Sequence, residues 1–196
     1  TALYSVNLRT MGRPNIPLLR QPTLFTMLSD WGFDHPLQAL FVFGALAVAV
    51  KFGIDWFLGT QIGLAIRATG DNPDMIRSLG VNTESMIILG LAFSNGLVAL
   101  AGAMIAQYQG YADVGMGLGT IITGLASVIL GNALIKPSTV FRGTLGAVLG
   151  SVLYRLAIYF ALGAGFAPTD LRIVTAIIVV LALAGPALRD RLAGRK

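Results

Sequence analysis

The chain has 196 residues, of which 55% are hydrophobic and only 12% are charged, and its formal net charge is +5. Soluble domains usually carry about a quarter charged residues, so this composition excludes a soluble globular protein. The chain has no cysteine and one histidine, His35, which excludes a disulfide framework and a metal site built from thiolates or several histidines. The basic residues lie between apolar stretches rather than on one basic arm, which argues against a nucleic-acid partner.

The N-terminal region is predicted to begin within a helix. No positively charged leader opens the chain, and residues 1–8 resemble the end of a helix that started earlier. We therefore expect residues 1–196 to form a single transmembrane domain that lacks the N-terminal spans of a longer protein; N-terminal processing is the alternative. Residues 9–36 are rich in proline and polar residues, which predicts a loop outside the membrane with a short interfacial helix near residues 23–28.

Five apolar segments follow, and each is predicted to cross a membrane, which requires about 20 residues per helix. They are residues 37–58, 85–112, 117–131 (short, with its helix at about 120–130), 143–166 and 172–188. The fold class is therefore all-α: a polytopic bundle of about five transmembrane helices in contact with lipid.

Three of these segments have unusual features. The first contains Lys51 and Asp55, four residues apart, which predicts an ion pair on one helix face. The second is longer than one crossing and is predicted to end at residues 107–110. The third follows Gly115, Gly117 and Gly119, and so many glycines predict a short or broken helix beside a substrate path.

The lysines and arginines between the segments predict the orientation of the chain, because cytoplasmic loops of membrane proteins carry more of them. One alternate set of loops contains eight: Arg67, Arg77, Lys136, Arg142, Arg189, Arg191, Arg195 and Lys196. The other set contains four: Arg9, Arg13, Arg20 and Arg172. The first set is therefore predicted to be cytoplasmic, with the C terminus inside.

The most informative loop contains a short helix with strong signals at both ends. Gly70 and Asp71 are predicted to end a preceding helix, Asn72 to cap a new one, and Pro73 to occupy its first position. The candidate site comprises these residues and their neighbours: Arg67, Gly70, Asp71, Asn72, Pro73, Asp74, Met75, Ile76, Arg77, Leu79 and Gly80.

Within this segment, Asp74 suits the first turn of a helix and Gly80 suits the left-handed position after its end. The pattern predicts a two-turn helix over residues 73–79 with Met75, Ile76 and Leu79 on one face. A helix this short is unstable alone in water, so its apolar face must dock. Two interpretations are open: an ordinary loop between two spans, or a coupling helix that inserts into an ATPase on another chain.

Several stretches resemble the permeases of ABC importers of the branched-chain amino acid and ribose type. They are residues 63–73, 79–82, 96–103 and 126–131. The start of the chain, residues 5–15, is similar to a subgroup linked to aromatic amino acid uptake. Residues 132–139 depart from the family, whose members usually have a glycine-rich loop there.

The resemblance implies a bacterial inner-membrane importer with several protein partners. Two ABC ATPase subunits would bind on the cytoplasmic side, a periplasmic binding protein would deliver the solute, and a second permease subunit, most simply an identical one, would complete the path. The chain contains no G-x-x-x-x-G-K-[ST] phosphate loop, so ATP and Mg²⁺ belong to the partner ATPase. No cofactor, metal site or catalytic residue is expected in this chain, which is predicted to be a transport subunit and not an enzyme.

Candidate path residues are polar, charged or glycine positions within the spans: Asn95, Gln107, Gly117, Gly119 and Arg155. An ionisable residue in mid-span is a functional candidate, and Arg155 is predicted either to meet a solute carboxylate or to pair within the bundle. The expected solute is an amino acid, with a sugar or nucleoside as alternatives. The competing functions are a secondary transporter or channel without an ATPase, and a membrane scaffold that transports nothing.

Overall fold

A computed structural model describes residues 2–18, 21–30 and 37–165 and the single positions 176 and 180. These residues form eight α-helices and two short strands, in accordance with the predicted all-α class. The helices are α1 (Ala2–Met11), α2 (Leu24–Asp30), α3 (Gln38–Gly59), α4 (Gln61–Asp71), α5 (Pro73–Ser78), α6 (Thr83–Gln109), α7 (Gly117–Leu134) and α8 (Val140–Gly163). The strands are β1 (Asn15–Pro17) and β2 (Tyr111–Asp113).

Among the described helices, α3, α6 and α8 are long and apolar enough to cross a membrane, and α7 is a shorter apolar helix. At about 1.5 Å per residue, α3 and α6 reach roughly 33 and 40 Å, which exceeds the hydrocarbon thickness of a bilayer. Large apolar side chains such as Phe41 and Trp56 are exposed on their outer surfaces, as expected where lipid is the solvent. Of the fifth predicted span, residues 172–188, only positions 176 and 180 belong to the described residues.

The chain divides into two compact units, Thr1–Gly117 and Leu118–Lys196. In the first unit α3 and α6 run antiparallel, with Phe57 stacked on Phe93 at 4.3 Å near one end. Near the other end, Phe43 meets Tyr108 edge to face at 5.5 Å. An apolar cavity of about 260 Å³, open on its outer side, lies between these contacts, and its lining includes the exposed residues Ala47 and Ala101.

One end of the first unit carries a polar cap. Strands β1 and β2 pair antiparallel, with Ile16 opposite Ala112, and α2 is attached through Gln107, whose Oε1 accepts the backbone N–H of Leu24 at 3.0 Å. The short helix predicted near residues 23–28 is therefore present as α2. The sheet was not predicted: residues 9–36 were expected to be irregular, and part of them pairs with a distant segment.

At the opposite end, α4 and α5 follow α3 after a sharp reversal. The Thr60 hydroxyl caps α4 by accepting the N–H of Gly63 at 3.3 Å. A Cβ atom at Gly63 would lie 2.5 Å from Cα of Leu58, so the reversal requires glycine there. From this turn α4 packs against both α3 and α6.

In the second unit α7 and α8 approach through small residues. Gly146 and Gly150 of α8 are buried, and a Cβ atom at Gly150 would lie 2.6 Å from the backbone nitrogen of Gly131. Gly146 and Gly150 therefore allow the backbones of α7 and α8 to approach closely. The glycine segment was predicted to be helical over residues 120–130, but α7 is continuous from Gly117 to Leu134, so it is short rather than broken.

Candidate functional site

The ends of α5 are fixed by the residues that the sequence analysis singled out. Asn72 Oδ1 accepts the backbone N–H of Met75 at 3.0 Å, and Pro73 occupies the first turn with Asp74. At the other end, Gly80 has φ +84°, a conformation that glycine adopts without strain, and its N–H donates to the carbonyl of Arg77 at 3.0 Å. The predicted two-turn helix is confirmed, ending at Ser78 with Leu79 as its C-cap.

Of the three apolar residues predicted to share one face of the short helix, only Ile76 faces the protein. Ile76 is 8% exposed, whereas Met75 is 58% and Leu79 is 67% exposed. The sequence pattern predicted that all three lie on one docking face. The structure instead separates an inward anchor, Ile76, from an outward apolar pair.

Polar contacts fix α5 to the start of α6. The Arg77 guanidinium donates to the hydroxyl of Thr83 at 3.0 Å, and Thr83 is almost fully buried. Asn82 caps α6 through Oδ1, which accepts the N–H groups of Glu84 and Ser85 at 3.1 and 3.2 Å. These contacts line a polar cavity of about 360 Å³, which sequence analysis missed because Arg77 was considered only as part of its own loop.

The remaining residues of the predicted segment lie at the end of α4. Arg67, Gly70 and Asp71 are exposed, and α4 ends at Asp71 with Asn72 as its C-cap. Asn72 therefore terminates one helix and caps the next. Because α4 packs on α3 and α6, this shared residue fixes the position of α5 relative to both long helices.

The predicted path residues are spread over three helices. Asn95 is exposed in the middle of α6, while Gln107 near its end holds α2, as described above. Gly117 and Gly119 lie in the first turn of α7. Arg155 is exposed on α8 and makes no hydrogen bond or ion pair with the described residues.

Two further contacts involve charged residues, and the first of them, between Lys51 and Asp55, was predicted from the sequence. Lys51 and Asp55 form an ion pair on α3, with Lys51 buried. Asp113 organises the turn before α7, since its Oδ1 accepts the N–H of Gly115 at 2.7 Å. The described residues contain no group of three or more potential metal ligands.

Comparison with known proteins shows to which family the chain belongs. The model of a family described as the branched-chain amino acid transport system / permease component matches residues 10–184. The chain belongs to this permease family. The resemblance noted in the sequence is thus confirmed, and the permease, with its long apolar helices, is a multi-pass membrane protein.

Individual relatives of the permease support this assignment. A protein named as a tyrosine transport system permease from Clostridioides difficile is 43% identical over 182 residues, covering 93% of this chain and 59% of the relative. An uncharacterised Rickettsia prowazekii protein is 32% identical over 96% of this chain and 66% of its own length. The permease thus spans about three-fifths to two-thirds of these relatives.

A third relative matches less of the permease. It is named as the autoinducer 2 import system permease protein LsrC of Yersinia pseudotuberculosis, and it is 35% identical over 56% of this chain and 31% of its own length. No solved structure is significantly similar to the permease.

Proposed function

We propose that this chain is the membrane-spanning permease subunit of a binding-protein-dependent ABC importer, driven by ATPase subunits on other chains. The observation that carries the proposal is α5, whose ends are fixed while Met75 and Leu79 point outward. An apolar pair in a polar loop is suited to insertion into a partner surface. ATP and Mg²⁺ would be bound by that partner, and the permease would serve for transport without an enzyme activity of its own.

Because α5 is attached to α4 and α6, a partner that moves α5 would move these helices, and movement of these helices would move α5. A six-residue helix is unstable in isolation, but here Asn72, Ile76 and Arg77 hold it to α4 and α6. Displacement of α5 by a partner would therefore displace the long helices with it. Such mechanical connection is what a permease needs when hydrolysis occurs on another chain.

We propose that α5 faces the cytoplasm of a bacterium and that the C terminus lies on the same side of the inner membrane. The excess of lysine and arginine in the loops on that side supports this orientation. The cap formed by β1, β2 and α2 lies at the other end of α3 and α6, so it would face the periplasm. A solute-binding protein would dock there.

We propose an amino acid as the solute, since the 43% identical relative is named for tyrosine transport. A sugar or nucleoside is the alternative, because the family resemblance includes ribose-type importers. A second permease subunit, most simply an identical copy, would complete a path lined by Asn95, Gln107, the glycines at the start of α7, and Arg155.

Co-purification of ATPase subunits tests the docking role of α5. We expect Leu79→Asp to reduce ATPase capture by the detergent-extracted permease at least tenfold, because a carboxylate replaces an apolar contact at the centre of the interface. Ser78→Asp is the matched control: it puts the same charge on the neighbouring residue, beside the outward pair. We expect this control to retain the ATPase.

ATP dependence separates the proposal from its competitors. Uptake into proteoliposomes should require the ATPase subunits and internal ATP. A permease that never captures an ATPase, or that transports at full rate without one, would instead be a secondary transporter or channel. A permease that shows neither activity would be a scaffold.

A further inference from the structure

Helix α8 has one face that packs tightly against α7. Gly146, Gly150 and Tyr154 are its buried residues, and the contact at Gly131 leaves no room for a side chain at Gly150. The rotation of α8 about its own axis is therefore fixed by backbone contact. The directions of all other α8 side chains follow from this.

A polar stripe runs along another side of α8. Thr144, Ser151, Arg155 and Tyr159 fall within an arc of about 80° at 100° per residue, and this arc lies roughly 135° around the helix from the buried face. Ser151, Arg155 and Tyr159 are exposed, and Tyr159 is 71% so. Three apolar residues share this arc: Phe141 and Leu162 near the two ends of the helix, and Val148 between Thr144 and Ser151.

A third face of α8 is apolar and exposed. Its leucines Leu149, Leu153 and Leu156 are each between 40 and 46% exposed, and their directions lie roughly 135° from the polar stripe. Lipid requires such a face and disfavours polar ones, so the leucines suit contact with hydrocarbon. The polar stripe is therefore suited to a different neighbour, either the interior of a helix bundle or a water-filled path.

Arg155 is the centre of this stripe. It is the sixteenth of the 24 residues of α8, which puts the guanidinium well inside the span. The Ser151 hydroxyl is directed back to the carbonyl of Val148 at 2.8 Å, so it leaves Arg155 available. A guanidinium away from bulk water binds a carboxylate more strongly than any neutral partner.

The described membrane helices do not offer Arg155 a spare carboxylate. Their acidic residues are Asp55, which is paired with Lys51, and Glu84 in the first turn of α6. A second copy of the same helices would bring only the same two residues. These described helices therefore supply no counter-charge for Arg155, whereas an anionic group moving along a water-filled path would supply one.

We propose that the stripe of Thr144, Ser151, Arg155 and Tyr159 lines the solute path and that Arg155 binds the carboxylate of the passing solute. This rests on the proposed importer function and narrows the solute class to compounds with a free carboxylate. The phenol of Tyr159, one turn from the guanidinium, supplies a second hydrogen-bond donor and an aromatic surface.

These 196 residues contain no cysteine, so thiol labelling of the permease in membrane vesicles tests the stripe directly once any cysteine outside them is replaced by serine. Ser151→Cys should react with a water-soluble anionic thiosulfonate, whereas Leu153→Cys, at similar depth on the apolar face, should not. The anionic reagent should modify Ser151→Cys about tenfold faster than a cationic reagent of similar size, since Arg155 attracts it.

Adding Arg155→Gln to Ser151→Cys should abolish this preference between reagents. An unreactive Ser151→Cys would mean that the stripe packs against protein or lipid, and an unchanged preference in the double variant would show that Arg155 does not attract anions. Either result overturns the proposal. Elution of each variant at the parental volume in size-exclusion chromatography checks that it is folded.

Protection of Ser151→Cys from labelling links the stripe to the solute. In the complete transporter, L-tyrosine should slow labelling of Ser151→Cys, while tyramine, which lacks the carboxylate, should not; protection by both or neither would contradict the carboxylate assignment. Labelling in the absence of solute needs no ATPase, so it can succeed where ATP-dependent uptake fails. Failure of the importer function is therefore distinguishable from failure of the Arg155 site.

Discussion

The α3–α6 pair in the first unit is held by large aromatic side chains, whereas the α7–α8 pair in the second unit is held by glycines. Phe57 and Phe93 stack with ring centroids 4.3 Å apart, and an apolar cavity separates them from the contact of Phe43 with Tyr108. In contrast, Gly131 and Gly150 bring two backbones into direct contact.

The difference between the pairs has mechanical consequences. In a membrane, apolar side chains gain nothing from leaving lipid, because lipid is as apolar as they are. Helix association therefore depends on how closely the helices pack. Backbone contact at glycines fixes both distance and rotation, so α7–α8 should behave as one rigid element. The α3–α6 pair, separated by flexible side chains and a cavity, has room to change its packing when α5 is displaced.

The largest effect should come from adding one methyl group to the glycine contact. A Cβ atom at Gly131 would collide with the backbone carbonyl of Gly146, so Gly131→Ala should cost about 3 kcal/mol, the upper end for overpacking. The loss is measured as the fraction of monodisperse permease that survives heating, by size-exclusion chromatography.

The control for this prediction lies on the same helix. Gly124 has open space where its Cβ would be, so Gly124→Ala should raise stability by up to about 1 kcal/mol through helix propensity. Opposite signs for the two substitutions support the glycine contact. Equal effects would show that α7 and α8 do not meet there.

A smaller effect is expected at the aromatic contact. Phe93→Ala removes the ring stacked on Phe57 and should cost about 1 kcal/mol, the typical worth of an aromatic pair. The exposed Phe41 on α3 provides the control, since Phe41→Ala removes a ring with no described aromatic partner. Identical heating curves for both variants would mean that the stack contributes nothing to the α3–α6 pair.

Local signals made the candidate coupling segment predictable from the sequence. Asn72, Pro73 and Gly80 each act on the backbone within three residues, so the bounds of α5 followed without knowledge of the fold. Which side of α5 is buried did not follow, because a six-residue helix has too few turns for its periodicity to identify an inward face. Only the contact of Arg77 with Thr83 and the burial of Ile76 decide this.

Distant pairing was the main feature that the sequence could not reveal. Asn15 faces Asp113 across strands of three residues, too short for an alternating pattern to be recognised. The start of α7 was misplaced for another reason. Glycine is a poor helix former in water, but a backbone in lipid must satisfy its own hydrogen bonds, so α7 includes Gly117 and Gly119.

The smallest effect is expected from filling the α3–α6 cavity. Ala101 lines this cavity of about 260 Å³, so Ala101→Leu adds three carbon atoms where space exists and should change stability by no more than about 1 kcal/mol, in the stabilising direction. If the cavity permits α3 and α6 to repack during transport, the same substitution should slow ATP-dependent uptake while heating curves stay equal or improve. If Ala101→Leu permease loses its monodisperse fraction faster on heating than the parent, the cavity is too narrow for leucine. The α3–α6 pair would then be closely packed already, like α7–α8. The measurement therefore decides whether the contrast between the two helix pairs is one of rigidity or only of residue type.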